Sequence, residues 1–432
     1  MTKTKIIYIL CHPPHSIIKK YKNPEEYLVS PGLGDFIKIP DPPFWIGFFS
    51  KDHHAVAAEE LMKITDEFEI ECWRPYGTSI NRMYTKEVNG ITHRVFPSFS
   101  IRIPQVGSGN FSPQLFSYLK DYSKSNNVIL NISVGHAWFH IWLLLKLRRH
   151  KRRIPVVANH ISGSFKKFNF SQLPLIKKIF KWYYLIEHNI EKRSLKYVDY
   201  YLTGSMMESD YLKTIIPLRS SFYTVGVDHN YFTPGDDKAK IRKELGLPLD
   251  KKIMIVTGNF RKSDYGYHHL IECYKTVKSE YDDLLLIMVG GYRHEDLYKQ
   301  GEEAGILMVE RIPKSTLLQY YQASDFYGQP TFSYTIINFG GFGYSMMEAL
   351  ACGLPVLSQN IIHFPGTLEE RNKIGLDMPT KEALVKNMIF LKDNFQDFKE
   401  CRSVGQKYFD IEETKLGLLN LYKELNARYF FN

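Results

Sequence analysis

The sequence has no apolar run long enough to cross a lipid bilayer. The longest such stretch, residues 137–147, is interrupted by His140 and Lys146 and falls well short of the ~20 residues that a spanning helix needs. The apolar run Ile6–Leu10 is too short for the core of a signal peptide. These absences predict a protein without a membrane span or a secretory leader, located in the cytoplasm.

Cysteine is scarce as well. The five cysteines are odd in number, widely separated and never spaced as C-x-x-C. This spacing excludes a disulfide framework and a cysteine-based zinc site, and it fits a reducing compartment. Asp52, His53 and His54 stand together without further ligands nearby, so we interpret them as polar groups at the start of a helix.

The overall composition is that of a folded protein. Of its 432 residues, 44% are hydrophobic and 24% are charged, which excludes disorder and collagen-like repeats. We find neither an internal repeat nor a low-complexity tract. A chain of this length predicts two or three domains, each large enough to bury its own core, and two domains imply a cleft between them.

The net charge of +10 is concentrated in one segment. Residues 146–196 contain fourteen Lys or Arg and only two Glu, whereas the rest of the chain is close to neutral. No nucleic-acid recognition motif accompanies this segment, so we expect no nucleic-acid partner. The basicity is therefore a local property of one surface rather than of the whole protein.

Short apolar runs recur along the chain with helical patterns between them, an alternation typical of parallel sheets buried on both faces. The sequence therefore predicts an α/β protein. The predicted strands are residues 5–10, 69–73, 127–133, 154–159, 199–204, 252–258, 284–290, 306–312, 325–330 and 354–359.

These strands form two sets separated by a polar stretch with Pro and Gly, residues 227–237, which is typical of an interdomain linker. The last helical pattern runs over 412–429. We therefore predict two Rossmann-like domains, 1–227 and 228–411, followed by a terminal helix, 412–432, that returns to the first domain.

A glycine-rich stretch precedes a predicted helix in the second domain. Gly340, Gly341 and Gly343 stand where a backbone can approach a phosphate, and the first-turn N–H groups of a helix favour an anion. Glu348, one further turn along, is placed to accept hydrogen bonds from ribose hydroxyls. Spacing alone equally fits a helix start with glycines for packing and a surface glutamate.

The segment Gly-Phe-Gly-x-x-x-x-Glu-Ala-x-Ala-Cys-Gly-x-Pro-Val, residues 341–356, resembles the donor-site signature of the GT-B retaining glycosyltransferases of the GT4-like group. Other stretches follow that family's order, namely 254–258 with Gly266, 286–291, 317–330 and the linker 225–234. The resemblance implies a GT-B fold with two domains facing a cleft. It assigns donor binding to Gly47, Gly258, Gly340, Gly341, Phe342, Gly343, Tyr344, Ser345 and Glu348.

The sequence departs from the family at two places. Gly340 occupies the position of the first of two paired glutamates, and Asn259 and Tyr265 stand where the family has Arg and Lys on the donor phosphates. Arg261 and Lys262 lie in the same loop and would supply the missing charge, since a diphosphate leaving group needs cations or dipoles. The alternative is that they are solvated and the site is weakened or inactive. Asn338 is a candidate sugar contact.

The N-terminal half resembles the family more weakly. His160 matches the histidine that the family projects into the cleft from a strand end, and we assign it the catalytic position. His136, at the end of the preceding strand, is a second cleft candidate. Gly47 is the predicted phosphate-approaching glycine of this half, with Gly32 and Gly34 as competing placements.

The function implied is transfer of a sugar, with retention, from a UDP- or GDP-linked donor to a lipid-linked or glycan acceptor. The sequence has no Asp-x-Asp pair, so we expect no metal. Two alternatives stay open, namely a catalytically silent GT-B protein that acts as a binding or scaffold partner, and a nucleotide-sugar 2-epimerase.

The basic segment supports a membrane-facing role. Lysines alternate with aromatic and aliphatic residues over 165–196, and apolar residues at helical spacing give one apolar face with basic flanks. This pattern is typical of an interfacial helix on an anionic membrane, at the inner face for a cytoplasmic protein. The alternative is that the apolar stripe is core and the lysines are solvated. The predicted membrane patch comprises Lys166, Lys167, Lys177, Lys178, Lys181 and Trp182.

Overall fold

The computed structural model describes residues 3–10, 36–40, 43–47, 53–76, 80–103, 107–133, 138–149, 153–160, 181–215, 219–260, 266–291, 295–310, 312–329 and 341–431. Within these ranges it is an α/β protein with two mainly parallel sheets, as the sequence predicts. No helix in this part of the chain is both long enough and apolar enough to span a bilayer.

The strands of the described residues are β1 (Thr4–Ile9), β2 (Phe36–Pro40), β3 (Pro43–Gly47), β4 (Phe68–Tyr76), β5 (Tyr84–Val88), β6 (Ile91–Pro97), β7 (Phe99–Ile103), β8 (Gly107–Phe111), β9 (Val128–Ser133), β10 (Val156–His160), β11 (Tyr200–Thr203), β12 (Ser220–Phe222), β13 (Lys252–Asn259), β14 (Leu284–Gly291), β15 (Leu307–Val309), β16 (Phe326–Gln329), β17 (Val356–Ser358) and β18 (Gly375–Leu376).

The α-helices of the described residues are α1 (His53–Met62), α2 (Pro113–Ser125), α3 (Trp138–Leu147), α4 (Lys181–Leu195), α5 (Met206–Ile215), α6 (Lys238–Glu244), α7 (Tyr267–Glu280), α8 (Glu295–Glu303), α9 (Lys314–Ala323), α10 (Tyr344–Ala351), α11 (Leu368–Ile374), α12 (Lys381–Asn394), α13 (Cys401–Phe409) and α14 (Ile411–Phe430). Two 3-10 helices cover Gln359–His363 and Phe395–Phe398.

The N-terminal sheet has eight strands in the order β12-β11-β10-β9-β1-β4-β6-β5. All neighbours pair in parallel except β5, which forms an antiparallel hairpin with β6 at the edge. The hairpin turns at Asn89 and Gly90, which both have positive φ, as the favoured two-residue turn requires. Two further antiparallel pairs, β2 with β3 and β7 with β8, lie outside this sheet.

The C-terminal sheet has six parallel strands in the order β15-β14-β13-β16-β17-β18. Apolar residues fill both of its faces, because successive strand residues point to opposite sides. On β13, for example, Ile255 belongs to one core cluster and Met254 to the other. Because both faces of the sheet are buried, these strands are continuous apolar runs in the sequence.

Two crossings of the chain between the sheets lie side by side. The Val227 N–H donates to the Phe409 carbonyl at 2.7 Å, and the Ile411 N–H donates to the Val227 carbonyl at 3.1 Å. Gly226 has a φ of +81°, and a Cβ there would lie 2.6 Å from Thr414 Oγ1. Glycine is therefore required where the linker passes the start of α14.

Helix α14 covers one face of the N-terminal sheet. Its Leu418 and Leu425 are buried in the same cluster as Ile6 of β1. The buried Asn131 donates to the Tyr422 hydroxyl at 2.7 Å, and that hydroxyl donates to the Tyr8 hydroxyl at 3.2 Å. The structure thus packs residues 411–430 on a sheet whose strands all come from the first 222 residues.

Candidate functional site

The crevice that a doubly wound sheet offers to ligands lies where its strand order reverses. In the C-terminal sheet this point is between β13 and β16, since β14 and β15 continue to one side and β17 and β18 to the other. The carboxyl ends of the two strands are Asn259 and Gln329. Helix α10 begins at the same edge, so its N-terminus opens onto the crevice.

The structure places the predicted glycine-rich turn at the start of α10. Gly343 is the N-cap residue, with a φ of +80° that residues other than glycine rarely adopt. Phe342 is buried and stacks on Phe409, with ring centroids 4.8 Å apart. This packing fixes the turn, while Tyr344 and Ser345 form the first helical turn. Gly340 lies outside the described residues.

Glu348 ends a chain of buried hydroxyl groups. The Tyr321 hydroxyl donates to Glu348 Oε2 at 3.2 Å and lies 3.1 Å from Thr257 Oγ1. Thr257 Oγ1 lies 3.4 Å from the Tyr327 hydroxyl, which lies 2.7 Å from Ser345 Oγ. This series of hydroxyl contacts connects β13, β16 and α9 to both the first turn and the middle of α10.

Burial sets the ionisation of Glu348. Its side chain is buried at the edge of the C-terminal sheet, and the loss of hydration raises the pKa of the carboxyl to about 7. The Lys314 charge and the Tyr321 hydrogen bond oppose this rise in pKa. Lys314 Nζ itself lies 4.8 Å from the ring centroid of Phe232 in the linker. Glu348 is thus a carboxyl poised near neutral pH rather than the surface residue of the alternative interpretation.

The N-terminus of α10 faces the N-terminal sheet. Burial raises the pKa of the Tyr344 hydroxyl, and the charges of Glu348 and of Glu60 in α1 raise it further. Thr224 Oγ1 donates to the sulfur of Met347 at 3.4 Å. Elements of the N-terminal half therefore lie opposite the start of α10, as in a cleft between two domains.

A second contact joins the two halves away from α10. Ser205 Oγ, at the start of α5, lies 3.2 Å from His363 Nδ1 in the 3-10 helix after β17. Both residues are buried, and loss of hydration lowers the pKa of His363 to about 4. This histidine is neutral at physiological pH and acts as an uncharged partner in the contact.

Gly258 has a packing role in the structure. A Cβ on Gly258 would lie 2.2 Å from the Tyr267 hydroxyl at the start of α7. A Cβ on the neighbouring Gly290 would lie 1.7 Å from the Gly258 carbonyl oxygen. These glycines let the ends of β13 and β14 approach each other and the following helix. Asn259 pairs with Gly291 at the end of β13, and only its backbone is described.

Several predicted residues lie outside the described part of the chain, or have only their backbone within it. His160 is the last residue of β10, beside Thr203, and its side chain is not described. Gly47 ends β3, where it pairs with Phe36 of β2. The next described residue is His53, six positions later, which begins α1. Arg261, Lys262, His136, Asn338, Lys166, Lys167, Lys177 and Lys178 lie outside the described residues.

Only part of the basic segment lies within the described residues. Lys181 and Trp182 open α4, with only their backbone described. Farther along this helix, Leu185 and Ile186 are 41% and 48% exposed. Helix α3 ends at Leu147, and Arg153 beyond it pairs with Asp199 at 2.6 Å. That part of the positive charge therefore has a structural partner.

Sequence reasoning missed two polar side chains that the fold places near the ends of strands. Asn159 and Gln329 stand at carboxyl ends of strands, a position that could have indicated them. Asn159 is fully buried, and neither of its amide atoms has a hydrogen bond among the described residues. Across the same described ranges, no three His, Cys, Asp or Glu side chains are grouped as metal ligands.

Comparison with known families gives a match to one of the two sheets. Residues 237–407 match the family described as glycosyl transferases group 1. Over 173 residues the chain is 31% identical to D-inositol 3-phosphate glycosyltransferase of Corynebacterium glutamicum (strain R). This match covers 36% of the chain and 38% of that relative, so the chain spans well under half of the relative's length.

Solved structures resemble the whole chain. Sucrose-phosphate synthase from Thermosynechococcus elongatus covers 99% of this chain, with all of its own length matched, a TM-score of 0.67 and 17% identity. Anabaena HepE in complex with UDP covers 98%, also over its full length, with a TM-score of 0.60 and 12% identity. These likenesses confirm the predicted fold. The chain therefore has the GT-B fold, and its residues 237–407 match the model of the glycosyl transferases group 1 family.

Proposed function

We propose that the protein is a glycosyltransferase that moves a sugar from a nucleotide-diphosphate donor, UDP- or GDP-linked, with retention at the anomeric carbon. The observation that carries the proposal is the start of α10. An anion-binding helix N-terminus capped by Gly343 and a poised carboxyl, Glu348, open together onto the sheet's switch point. The matched family and the UDP bound by the Anabaena neighbour support a nucleotide donor.

In this reaction the bond between the anomeric carbon and the diphosphate breaks, and a bond to an acceptor oxygen forms on the same face. The acceptor hydroxyl gives its proton to the departing diphosphate, which leaves with the electron pair of the broken bond. The N-terminus of α10 stabilises the charge that develops on the diphosphate. Arg261 and Lys262 are our candidates for cations at the same group, and His160 is our candidate for the group beside the reacting carbon.

We propose that no metal takes part in this step, since helix dipole and basic side chains supply the positive potential. An assay with excess EDTA checks this. Activity that survives the chelator supports the proposal, and activity that disappears and returns with Mg²⁺ or Mn²⁺ contradicts it.

We further propose a lipid-linked or glycan acceptor at an anionic membrane, with the protein peripheral on the inner face. Leu185 and Ile186 present apolar surface on α4, and the exposed Arg193 and Lys196 follow them. Apolar groups beside cations are what binding to an anionic interface needs. The relatives' printed names point to another acceptor class, sugar or inositol phosphates, which the activity assay below includes.

Nucleotide binding tests the enzyme proposal directly. We expect UDP or GDP and one of their sugar conjugates to raise the melting temperature of the wild type by mass action. Glu348→Ala should remove that increase, whereas Glu413→Ala, an exposed glutamate of α14, should leave it intact. A wild type that responds to no nucleotide contradicts every enzyme interpretation and favours the silent scaffold.

Product analysis separates the remaining possibilities. Incubation of the donor with lipid-linked, glycan and sugar-phosphate acceptors should yield a glycoside of one class. Epimerisation of the donor sugar without transfer would identify the 2-epimerase alternative instead.

Vesicle co-sedimentation tests the membrane surface. The wild type should pellet with anionic vesicles at low salt and stay in solution with neutral ones. Leu185→Ser with Ile186→Ser should reduce pelleting severalfold, and Leu249→Ser, an exposed leucine between α6 and β13, is the matched control. Wild-type protein that remains in the supernatant with anionic vesicles contradicts the membrane proposal.

A further inference from the structure

Gln329 stands at the mouth of the crevice. It is the last residue of β16, and its backbone pairs with Ser358 of β17. Its side chain lies against the cap of α10, because a Cβ on Gly343 would be 2.9 Å from Gln329 Oε1 and 3.3 Å from Nε2. Glycine at 343 therefore makes room for this amide at the start of the helix.

The amide oxygen has an unmet hydrogen bond. Gln329 Oε1 is buried, yet it accepts no hydrogen bond from any described residue. A buried acceptor without a partner costs free energy, and native structures keep few of them. The nearby Ser358 hydroxyl donates to the Gln329 backbone carbonyl at 3.3 Å instead of to this oxygen. The oxygen is therefore available to a hydroxyl group that enters the crevice.

Position along α10 indicates which part of a donor would meet this oxygen. Glu348 lies five residues after the cap, or about 7.5 Å along the helix axis. The proposed ribose contact is thus separated from Gln329 by the helix N-terminus, where the diphosphate would lie. Phosphate oxygens carry no proton to donate at neutral pH, whereas the hydroxyls of the transferred sugar do.

We propose that Gln329 binds a hydroxyl of the donor's transferred sugar through Oε1 and so contributes to the choice of sugar. The assignment rests on the proposed function, since it presumes a nucleotide-diphosphate sugar at this crevice. It gives the sugar a polar partner on β16, in a chain that has Gly340 where the related family has a glutamate.

The proposal makes stability and binding respond in opposite directions. Gln329→Leu replaces a side chain whose buried amide oxygen has no partner among the described residues by an apolar one of similar volume, so the variant should be at least as stable as the wild type. It should bind the free nucleotide diphosphate as the wild type does. Its affinity for the nucleotide sugar should fall about tenfold, because only the sugar loses a hydrogen bond.

Isothermal titration of wild type, Gln329→Leu and Gln329→Glu with UDP, GDP and a panel of their sugar conjugates measures this. Gln329→Glu keeps an acceptor oxygen and should retain most of the sugar-dependent affinity. The matched control is Gln322→Leu on α9, where Nε2 donates to the Thr233 carbonyl at 3.0 Å. That variant should lose stability while its sugar affinity stays unchanged.

The outcomes separate this inference from the proposed function. An unchanged ratio of nucleotide-sugar to nucleotide affinity in Gln329→Leu overturns the role of Gln329 alone. An equal loss for UDP and UDP-sugar overturns it too, because the amide would then serve the nucleotide or the fold. A wild type that binds none of the panel overturns the proposed function itself.

Discussion

The buried Tyr321 hydroxyl donates a hydrogen bond to Glu348 Oε2 at 3.2 Å. This bond connects α9 to the carboxyl that we propose as the contact for the donor ribose. The hydrogen bond favours the ionised form of Glu348 and opposes the rise in its pKa that burial causes. We therefore expect Tyr321 to affect nucleotide binding through Glu348.

Tyr321→Phe should therefore raise the pKa of Glu348 further and leave Thr257 without one of its partners. We expect a loss of about 1–2 kcal/mol in unfolding free energy. We also expect the pH midpoint of nucleotide binding to move upward. Urea denaturation and titrations from pH 5 to 9 measure both effects, with Tyr320→Phe on the neighbouring, half-buried ring as control. An unchanged pH midpoint would contradict the coupling.

Nucleotide affinity of the wild type should itself depend on pH. The pKa of Glu348 is raised to about 7, and ribose hydroxyls donate best to the ionised carboxylate. Affinity should therefore rise as the pH increases through about 7 and level off above it. Glu348→Gln should bind more weakly at high pH and lack this rise. Calorimetric titrations of the two proteins at matched pH provide the test.

The raised pKa of Glu348 also makes folding stability depend on pH. Stability should fall as the pH rises, whereas nucleotide affinity should increase. Because the folded-state pKa lies above that of the unfolded chain, the Glu348 contribution to stability is complete below the unfolded value, near pH 4.5. It is lost as the pH rises through about 7. Glu348→Gln should remove this component from the pH dependence of the unfolding free energy, which chemical denaturation at several pH values measures.

Asp325 is a structural carboxylate at the opposite end of β16 from Gln329. It accepts hydrogen bonds from Arg242 Nη2 at 2.7 Å, from Lys238 Nζ at 2.9 Å and from the Ile253 N–H at 2.7 Å. Asp325→Ala would leave Arg242 as a buried charge without its carboxylate, at a cost of about 3–5 kcal/mol.

Guanidinium denaturation should show this loss, while nucleotide affinity at a temperature where the variant is folded should be unchanged. Lys238→Met removes the more exposed of the two cations and should cost under about 1 kcal/mol, since a half-exposed pair contributes little. Equal losses in the two variants would contradict the assignment of the buried pair as the stronger one.

Tyr422 fixes α14 to the N-terminal sheet through its hydroxyl. Tyr422→Phe would leave the buried Asn131 amide without the acceptor that lies 2.7 Å away, at a cost of about 1–3 kcal/mol. Hydrogen exchange should then be faster at β1 and β9. Faster exchange confined to the C-terminal sheet would contradict this reasoning.

Much of the fold could be predicted because strands buried on both faces form continuous apolar runs. Every predicted run overlaps a strand, and the ends of run and strand differ by at most three residues. The run over 306–312, for example, contains the strand Leu307–Val309. The strand Ser220–Phe222 is too short and polar to form such a run, whereas Asn89-Gly90 is a local hairpin signal between β5 and β6.

The candidate site was predicted only where its residues are contiguous. Gly343, Ser345 and Glu348 lie in one motif, whereas Thr257 and Tyr321 reach it from segments 91 and 27 residues before Glu348. Their meeting depends on the register that sets Ile255 beside Tyr327. No local pattern encodes that register, since it follows from packing of the whole sheet.

The packing of α14 has a consequence for the order in which the protein can form. The face of β1 that receives Leu418 and Tyr422 is synthesised some four hundred residues before them. While the C-terminal sheet emerges from the ribosome, the N-terminal sheet carries an uncovered apolar surface. A nascent chain stalled before residue 411 should therefore be a chaperone substrate, and residues 411–430 supplied as a separate peptide should cover that surface.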